Sequence, residues 1–369
     1  MKRFLAILMI VAILGSCFMT ACAKTDNPAK TDNPAKTDNP AKTDNPAKTD
    51  NPAKTDNPYA DLEPVTIRLL CTALEDETWG VYVGKFTDRI TEESGGKINF
   101  KITYAASTIF AGESEVFDML RSGSCDIANF ALTQMNGFVP EVEVTCWPYV
   151  FDSSEHVMNF FSSEASAVLV NKMEEASGLK YITAMYGGMR NLTTNGVEVR
   201  KPEDLAGLKI RCMNDNIYVS GMNAMGATAV PIAYGELYFS LQTGVIDGQE
   251  NSGSVMVSGK LYEVQDTLNL TRHLSLPNSV FANNDFWAKL PQAYQDLILK
   301  VYHEGAQQYA DEVDAIDDAD IEQCVQEGMK LVEDVDYEAF IEKTKAVFMD
   351  TYADRPEFIE LYNEIRAAA

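Results

Sequence analysis

Asn-Pro recurs at a six-residue period from Asn27-Pro28 to Asn57-Pro58. That period bars helix and sheet interior from residues 24–58, because each proline lacks a backbone donor and fixes φ. The unit Lys-Thr-Asp-Asn-Pro occurs six times, spaced by single alanines. It carries no hydrophobic residue larger than Ala, so the repeats have nothing to stack as a solenoid would. One Lys offsets one Asp in each unit, and the near-neutral, well-solvated composition predicts a disordered tether over residues 23–58. Its coil span is about 30 Å and its stretched limit about 110 Å. Any folded body must follow it.

What precedes the tract reads as an export signal over residues 1–22. Lys2 and Arg3 form a basic start and Phe4 to Leu14 an unbroken apolar run. That run falls short of the ~20 residues a membrane-spanning helix needs. Cys17 and Cys22 both offer lipidation sites. Small and polar residues follow Cys22, whereas Phe18 and Met19 follow Cys17, so Cys22 is the favoured anchor point. The expectation is an extracytoplasmic body held to the cell membrane by a lipid.

The 369-residue chain is long enough for two domains or one large two-lobed body, and its 46% apolar content can fill a core. A formal net charge of -25 argues against nucleic acid as a partner, which needs clustered basic surface. Cys71, Cys125, Cys146, Cys212 and Cys324 are widely spaced and form no C-x-x-C pair, which predicts buried free thiols.

From Val65 the pattern alternates. Thr66–Leu70 reads as a strand; Trp79, Val83, Phe86 and Ile90 then fall at helical spacing, and Gly95-Gly96 ends that helix. Residues 98–104 alternate as a half-buried strand, 113–121 form a helix, and 126–132 form a buried strand. The theme repeats with strands at 181–186 and 208–212, a helix start at Pro202, helices at 218–225 and 235–242, and a long helical stretch after Pro291. No run of hairpins intervenes, so the fold class is α/β with helices on the sheet faces. We expect two lobes joined by crossing strands: residues 59–187 plus 277–316, and 188–276 plus 317–369. Ligands of such folds sit at the carboxyl ends of strands, between the lobes.

Catalytic motifs are missing. There is no G-x-S-x-G elbow, phosphate-binding loop or G-x-G-x-x-G. His303-Glu304 begins like a zinc-protease helix, but Gln307 stands where the second His would be. The acidic stretch 311–322 lacks the spacing of a calcium loop. No cofactor or metal is expected. Arg190, after Tyr186-Gly187-Gly188-Met189, and Arg211, after Leu208-Lys209-Ile210, instead end apolar segments at the carboxyl ends of strands. A guanidinium offers two parallel donors to a carboxylate and keeps its charge when dehydrated. The competing use of either is an interlobe or surface ion pair.

Leu241-Gln242-Thr243-Gly244-Val245-Ile246-Asp247-Gly248-Gln249-Glu250-Asn251 resembles the signature of the substrate-binding proteins of TRAP transporters, the DctP family. Pro202 to Arg211 is similar to that family's P-x-D-L-x-G-L-K-I-R, and Tyr262-Glu263-Val264-Gln265 to a later block. The resemblance covers about residues 64–350. It implies a two-lobed trap closing on a small carboxylate, which is delivered to TRAP membrane permease subunits; it does not imply an enzyme. By motif, Arg211 would make the main salt bridge to the ligand, Arg190 would be a second donor, and Asn251 would bond the same carboxylate. Tyr234 falls where the family places an aromatic wall, Thr72 and Glu113 fall near first-lobe contacts, and Asn214 is a further candidate. Tyr238 has a structural place. Ser252 stands where the family often has Pro. Leu132 stands where sialic-acid binders carry Glu, which counts against sialic acid. A hydroxylated sugar acid such as a hexuronate is the expected ligand; a sensory binding module and an enzyme acting on sugar acids are the alternatives.

Overall fold

The alternation beginning at Val65 builds two sheets. The computed structural model describes residues 57–110 and 112–369. The export signal, Cys17, Cys22 and nearly all of the repeat tract lie outside the described residues.

The chain runs β1 (Val65–Leu70), α1 (Thr78–Glu93), β2 (Ile98–Thr103), α2 (Ala106–Ile109), α3 (Glu113–Arg121) and β3 (Ile127–Ala131). Two 3₁₀ segments, Leu132–Met135 and Pro140–Cys146, lead to α4 (Ser154–Phe161), α5 (Glu164–Ser177) and β4 (Leu179–Met185). Then come β5 (Met189–Thr194), β6 (Lys209–Cys212), α6 (Asn216–Met225), β7 (Thr228–Pro231) and α7 (Tyr234–Gln242). They are followed by β8 (Gly248–Asn251), α8 (Gly253–Ser258) and β9 (Thr267–Ser275). The chain returns through β10 (Asn278–Asn283), α9 (Asn284–Trp287) and the 35-residue α10 (Gln292–Gln326). It closes with β11 (Lys330–Val332), α11 (Tyr337–Thr351) and α12 (Pro356–Ala367).

The first sheet has strand order β2-β1-β3-β10-β4 and the second β11-β9-β5-β8-β6-β7. β1 runs parallel to β2 and β3, and β6 parallel to β7 and β8. β10 is antiparallel to both its neighbours, and β5 to β8 and β9. Each sheet is therefore completed by a strand that arrives after the other sheet has been visited.

Sequence chemistry accounts for most of the elements. Trp79, Val83, Phe86 and Ile90 lie on the buried face of α1 as the spacing predicts. Asp215 caps α6 by accepting the Ile217 N–H, and Gly226 ends it at φ 123°, a conformation side chains resist. Two expectations need correction. Pro202–Leu205 is a single 3₁₀ turn and not the start of a helix: the Asp204 carboxylate closes it on the Arg200 and Lys201 N–H groups, and the chain must extend again at Lys209 for β6. Arg190 does not end the strand preceding it, because Gly187 and Gly188 turn the chain and Arg190 is the second residue of β5.

The sheets meet where two chain crossings touch. A Cβ on Gly187 would lie 2.1 Å from the Leu276 carbonyl oxygen, so only glycine admits this approach of the β4–β5 link to the β9–β10 link. α10 spans the junction, packing on α1 and β4 at one end and on α8 at the other. α11 packs on α6, while α12 reaches back onto the Pro140–Cys146 segment. There Trp147 meets Phe348 with ring centroids 5.1 Å apart, and the Ile365 carbonyl lies 2.7 Å from His156 Nε2. Among the described residues no helix is long and apolar enough to cross a membrane.

Candidate functional site

Parallel strands of both sheets carry the predicted residues at or just beyond their carboxyl ends. β6 delivers Arg211, β8 delivers Glu250 and Asn251, β1 leads to Thr72, and β3 ends at Ala131 beside Glu113. Antiparallel pairing of β5 with β8 sets Leu192 opposite Glu250 and Asn191 opposite Asn251. This register brings Arg190 to Glu250.

The two arginines differ in their partners. Arg190 is buried and engaged through Nε and Nη2: Nε donates to Glu250 Oε2 at 2.5 Å, and Nη2 donates to Glu250 Oε1 at 3.0 Å, the Glu250 carbonyl at 2.8 Å and Asn251 Oδ1 at 2.7 Å. Burial would push the Glu250 carboxyl up, but the Arg190 charge and its hydrogen bonds hold it below the usual carboxylate range. Arg211 is only 3% exposed, yet its one side-chain hydrogen bond runs from Nε to the Ile232 carbonyl at 2.8 Å. It has no ion pair among the described residues. Burial pushes its pKa down, and the Arg190 charge adds to that effect while Glu250 opposes it. The cluster of two guanidiniums and one carboxylate thus retains one uncompensated positive charge, with the outer nitrogens of Arg211 free to accept a counter-ion.

Asn251 is held as a go-between. Its Oδ1 accepts from Arg190, and its Nδ2 donates to Gln249 Oε1 at 2.5 Å. Gln249 in turn donates to Thr193 Oγ1 at 3.0 Å, and that hydroxyl donates to Gln265 Oε1 at 3.0 Å. Behind Glu250, His273 Nδ1 lies 2.9 Å from Thr271 Oγ1, and its Nε2 is 3.6 Å from Glu250 Oε2, too far for a hydrogen bond. Burial pushes His273 down, so it stays neutral.

Of the remaining predicted residues, Tyr234 opens α7 and is 40% exposed. Its hydroxyl would lie 3.1 Å from a Cβ on Gly259, at the end of α8. Burial raises the hydroxyl's pKa, Glu77 adds to this, and the charges of Arg211 and Arg190 oppose it, so Tyr234 sits within electrostatic reach of both arginines. Thr72 is fixed reciprocally with Asn129: its N–H donates to Asn129 Oδ1 at 3.1 Å and its Oγ1 accepts from Asn129 Nδ2 at 2.8 Å. Half-buried Glu113 accepts the Ala131 N–H at 3.1 Å through Oε2. Burial raises its pKa, and the Arg190 charge acts against that rise from across the cleft. Asn214 stands apart: it lines a cavity of about 300 Å³ with Asn136, Asp215, Asn216, Val219 and Pro231 and makes no hydrogen bond to either arginine.

Sequence reasoning missed three participants. Glu250 was visible in the Gln-Glu-Asn run, but its pairing with Arg190 depends on strand register. Glu77 and Ser258 come from different lobes, and the Ser258 hydroxyl donates to Glu77 Oε1 at 3.3 Å, bridging the cleft at one rim. At another rim Asn136 Nδ2 lies 3.4 Å from Asp215 Oδ2.

Among the described residues no group of three or more His, Cys, Asp or Glu is placed to hold a metal ion. His156 and His303 are spent on the carbonyls of Ile365 and Ile182. The described cysteines are buried and unpaired.

Residues 72–355 match the family model described as bacterial extracellular solute-binding protein, family 7, DctP. A solute-binding protein of Chromohalobacter salexigens is 29% identical over 289 residues, covering 78% of this chain and 85% of the relative. Among solved structures, a TRAP periplasmic solute-binding protein of the same organism, with bound D-glucuronate, is 28% identical. It superposes with a TM-score of 0.76 over 82% of this chain and 100% of its own. Its counterpart from a Sulfitobacter species, with bound β-D-galacturonate, is 27% identical with a TM-score of 0.75, over 82% of this chain and 100% of that one.

Proposed function

The chain belongs to the DctP family of bacterial extracellular solute-binding proteins, and from that premise we propose that it captures a hydroxylated sugar acid of the hexuronate type. It is a TRAP solute-binding protein and not an enzyme. In our reading Arg211 makes the two-pronged salt bridge to the ligand carboxylate. Asn251 adds a hydrogen bond, Arg190 steadies Asn251 from behind, and Tyr234 walls one side. The two lobes are those of residues 59–187 plus 277–316 and 188–276 plus 317–369, with the second boundary inside α10 and α12 folded back onto the first lobe. The loaded protein docks on TRAP permease subunits. Lipid at Cys22 and the tether hold it at the membrane, and mass spectrometry of the mature N-terminus checks that anchor.

One observation carries the carboxylate reading: among the described residues Arg211 is buried with no acid paired to it, whereas its neighbour Arg190 has Glu250. A dehydrated guanidinium is costly until a counter-charge arrives, so closure of the lobes is favoured when a carboxylate is present. The hexuronates bound by the two solved relatives support the ligand class. A thermal-shift screen tests the reading, because stabilisation grows with ligand excess over its dissociation constant. D-Glucuronate or D-galacturonate should raise the melting temperature and D-glucose should not. Stabilisation by the neutral sugar alone would overturn it.

A further inference from the structure

We propose that Glu113 and Glu77 confine this cleft to ligands with a single carboxylate, making it reject the dicarboxylate counterpart of any sugar acid it binds. The inference rests on the sugar-acid reading above and sharpens it to a charge rule.

The geometry comes first. Glu113 opens α3 and hangs its carboxylate on the N–H of Ala131, the last residue of β3. It therefore sits at the carboxyl end of β3, alongside the Thr72–Asn129 pair that follows β1. Glu77 precedes α1; its Oε2 accepts the Leu74 N–H at 2.9 Å and its Oε1 accepts the Ser258 hydroxyl from the opposite lobe. Both carboxylates are half-buried, and among the described residues neither is paired with a Lys or Arg. The first-lobe wall of the cleft thus presents acids, hydroxyl and amide, while the second-lobe wall presents the two arginines.

Counting charge on the second-lobe wall limits the ligand. Arg190 and Arg211 contribute two positive charges there, and Glu250 cancels one of them. One ligand carboxylate on Arg211 neutralises what that wall has left. The far end of the ligand then meets Glu113 and Glu77, whose free lone pairs suit hydroxyl donors. A second carboxylate there would lie against two acids with, among the described residues, no Lys or Arg paired to them; burial already raises the pKa of both acids, so a further anion is admitted only against repulsion or with the uptake of a proton. Electrostatic influence agrees with this placement: the Arg190 charge is felt at Glu113, and Glu77 is felt at Tyr234 together with both arginines.

Titration calorimetry of the full-length protein with matched pairs tests the rule. D-Gluconate against D-glucarate, and D-galactonate against D-galactarate, are open-chain pairs that differ only in the oxidation of the far carbon. The dicarboxylate of each pair should bind on the order of 100-fold more weakly or not measurably. Glu113→Gln, which keeps the acceptor for Ala131 and removes the charge, should narrow that gap by about 10-fold or more. Equal affinity of the two members of a pair in the native protein overturns the charge rule and leaves the sugar-acid reading standing. An unchanged gap in Glu113→Gln overturns the role of Glu113. Failure of all four acids to bind, with D-glucose binding instead, overturns the sugar-acid reading and this rule with it.

Discussion

Arg190 and Glu250 form a buried two-pronged ion pair, with Nε to Oε2 at 2.5 Å and Nη2 to Oε1 at 3.0 Å. Arg190 rises above its usual pKa within it: desolvation pulls it down, but the charge and the hydrogen bonds of Glu250 together more than offset that. Removing one member of such a pair strands the other without water. Glu250→Gln should therefore lose about 3–5 kcal/mol of folding stability. Urea unfolding of the ligand-free protein checks this, and a midpoint within experimental error of the native one would show that the pair contributes nothing.

Arg211→Lys keeps the charge and loses the fork. A single ammonium cannot place two parallel donors on a carboxylate, and it gives up the Nε bond to Ile232. Sugar-acid affinity should fall by about 10-fold or more, with the melting temperature of the ligand-free protein little changed. Calorimetry separates the two quantities; native affinity in the variant would remove Arg211 from the site.

Asp317 lies on α10 at the junction of the lobes, 7% exposed, and accepts the Gly253 N–H through Oδ1 at 2.5 Å. Burial, with Asp320, Asp314 and Asp318 nearby, pushes its carboxyl up to about 7 from the ordinary 3.8. Raised in the folded state, it contributes stability that is complete below about pH 4 and lost as pH climbs through 7. Asp317→Asn retains an acceptor for Gly253 and discards the charge. It should raise the urea midpoint at pH 8, by a few kcal/mol of stability, and do progressively less toward pH 4. An equal gain at both pH values would mean that the effect is not ionisation.

Gly187→Ala would press a methyl group to 2.1 Å from the Leu276 carbonyl oxygen, where backbone meets backbone and neither side can swing away. The variant should lose on the order of 3 kcal/mol, read as a lowered melting temperature. A native-like melting temperature would mean that the two links separate freely.

Local chemistry made much of this fold legible. The apolar spacing of Trp79, Val83, Phe86 and Ile90 marked α1, and the Gly226 and Gly244 stops bounded helices close to where they end. Arg211 was placed correctly at a strand's carboxyl end because Leu208–Cys212 announces its own strand. Arg190 was misplaced because the turn at Gly187-Gly188 is dictated by the distant Leu276. The Arg190–Glu250 pair was illegible for the same reason: it is a product of the register between β5 and β8, which no local pattern encodes. Glu77 and Ser258, 181 positions apart, meet only once the lobes face each other.

Among the described residues β10 lies between β3 and β4 and is the only strand joining them. A ribosome making this protein must therefore release β1 to β4, thread out the whole six-stranded neighbour apart from β11, and reach Asn283 before the earlier sheet can close. Two exposed strand edges wait through that interval, each a template for a stray chain. Truncations ending between Met185 and Asn278, which carry β3 and β4 without β10, should accordingly aggregate, and neither lobe can be cut out for study as one uninterrupted piece.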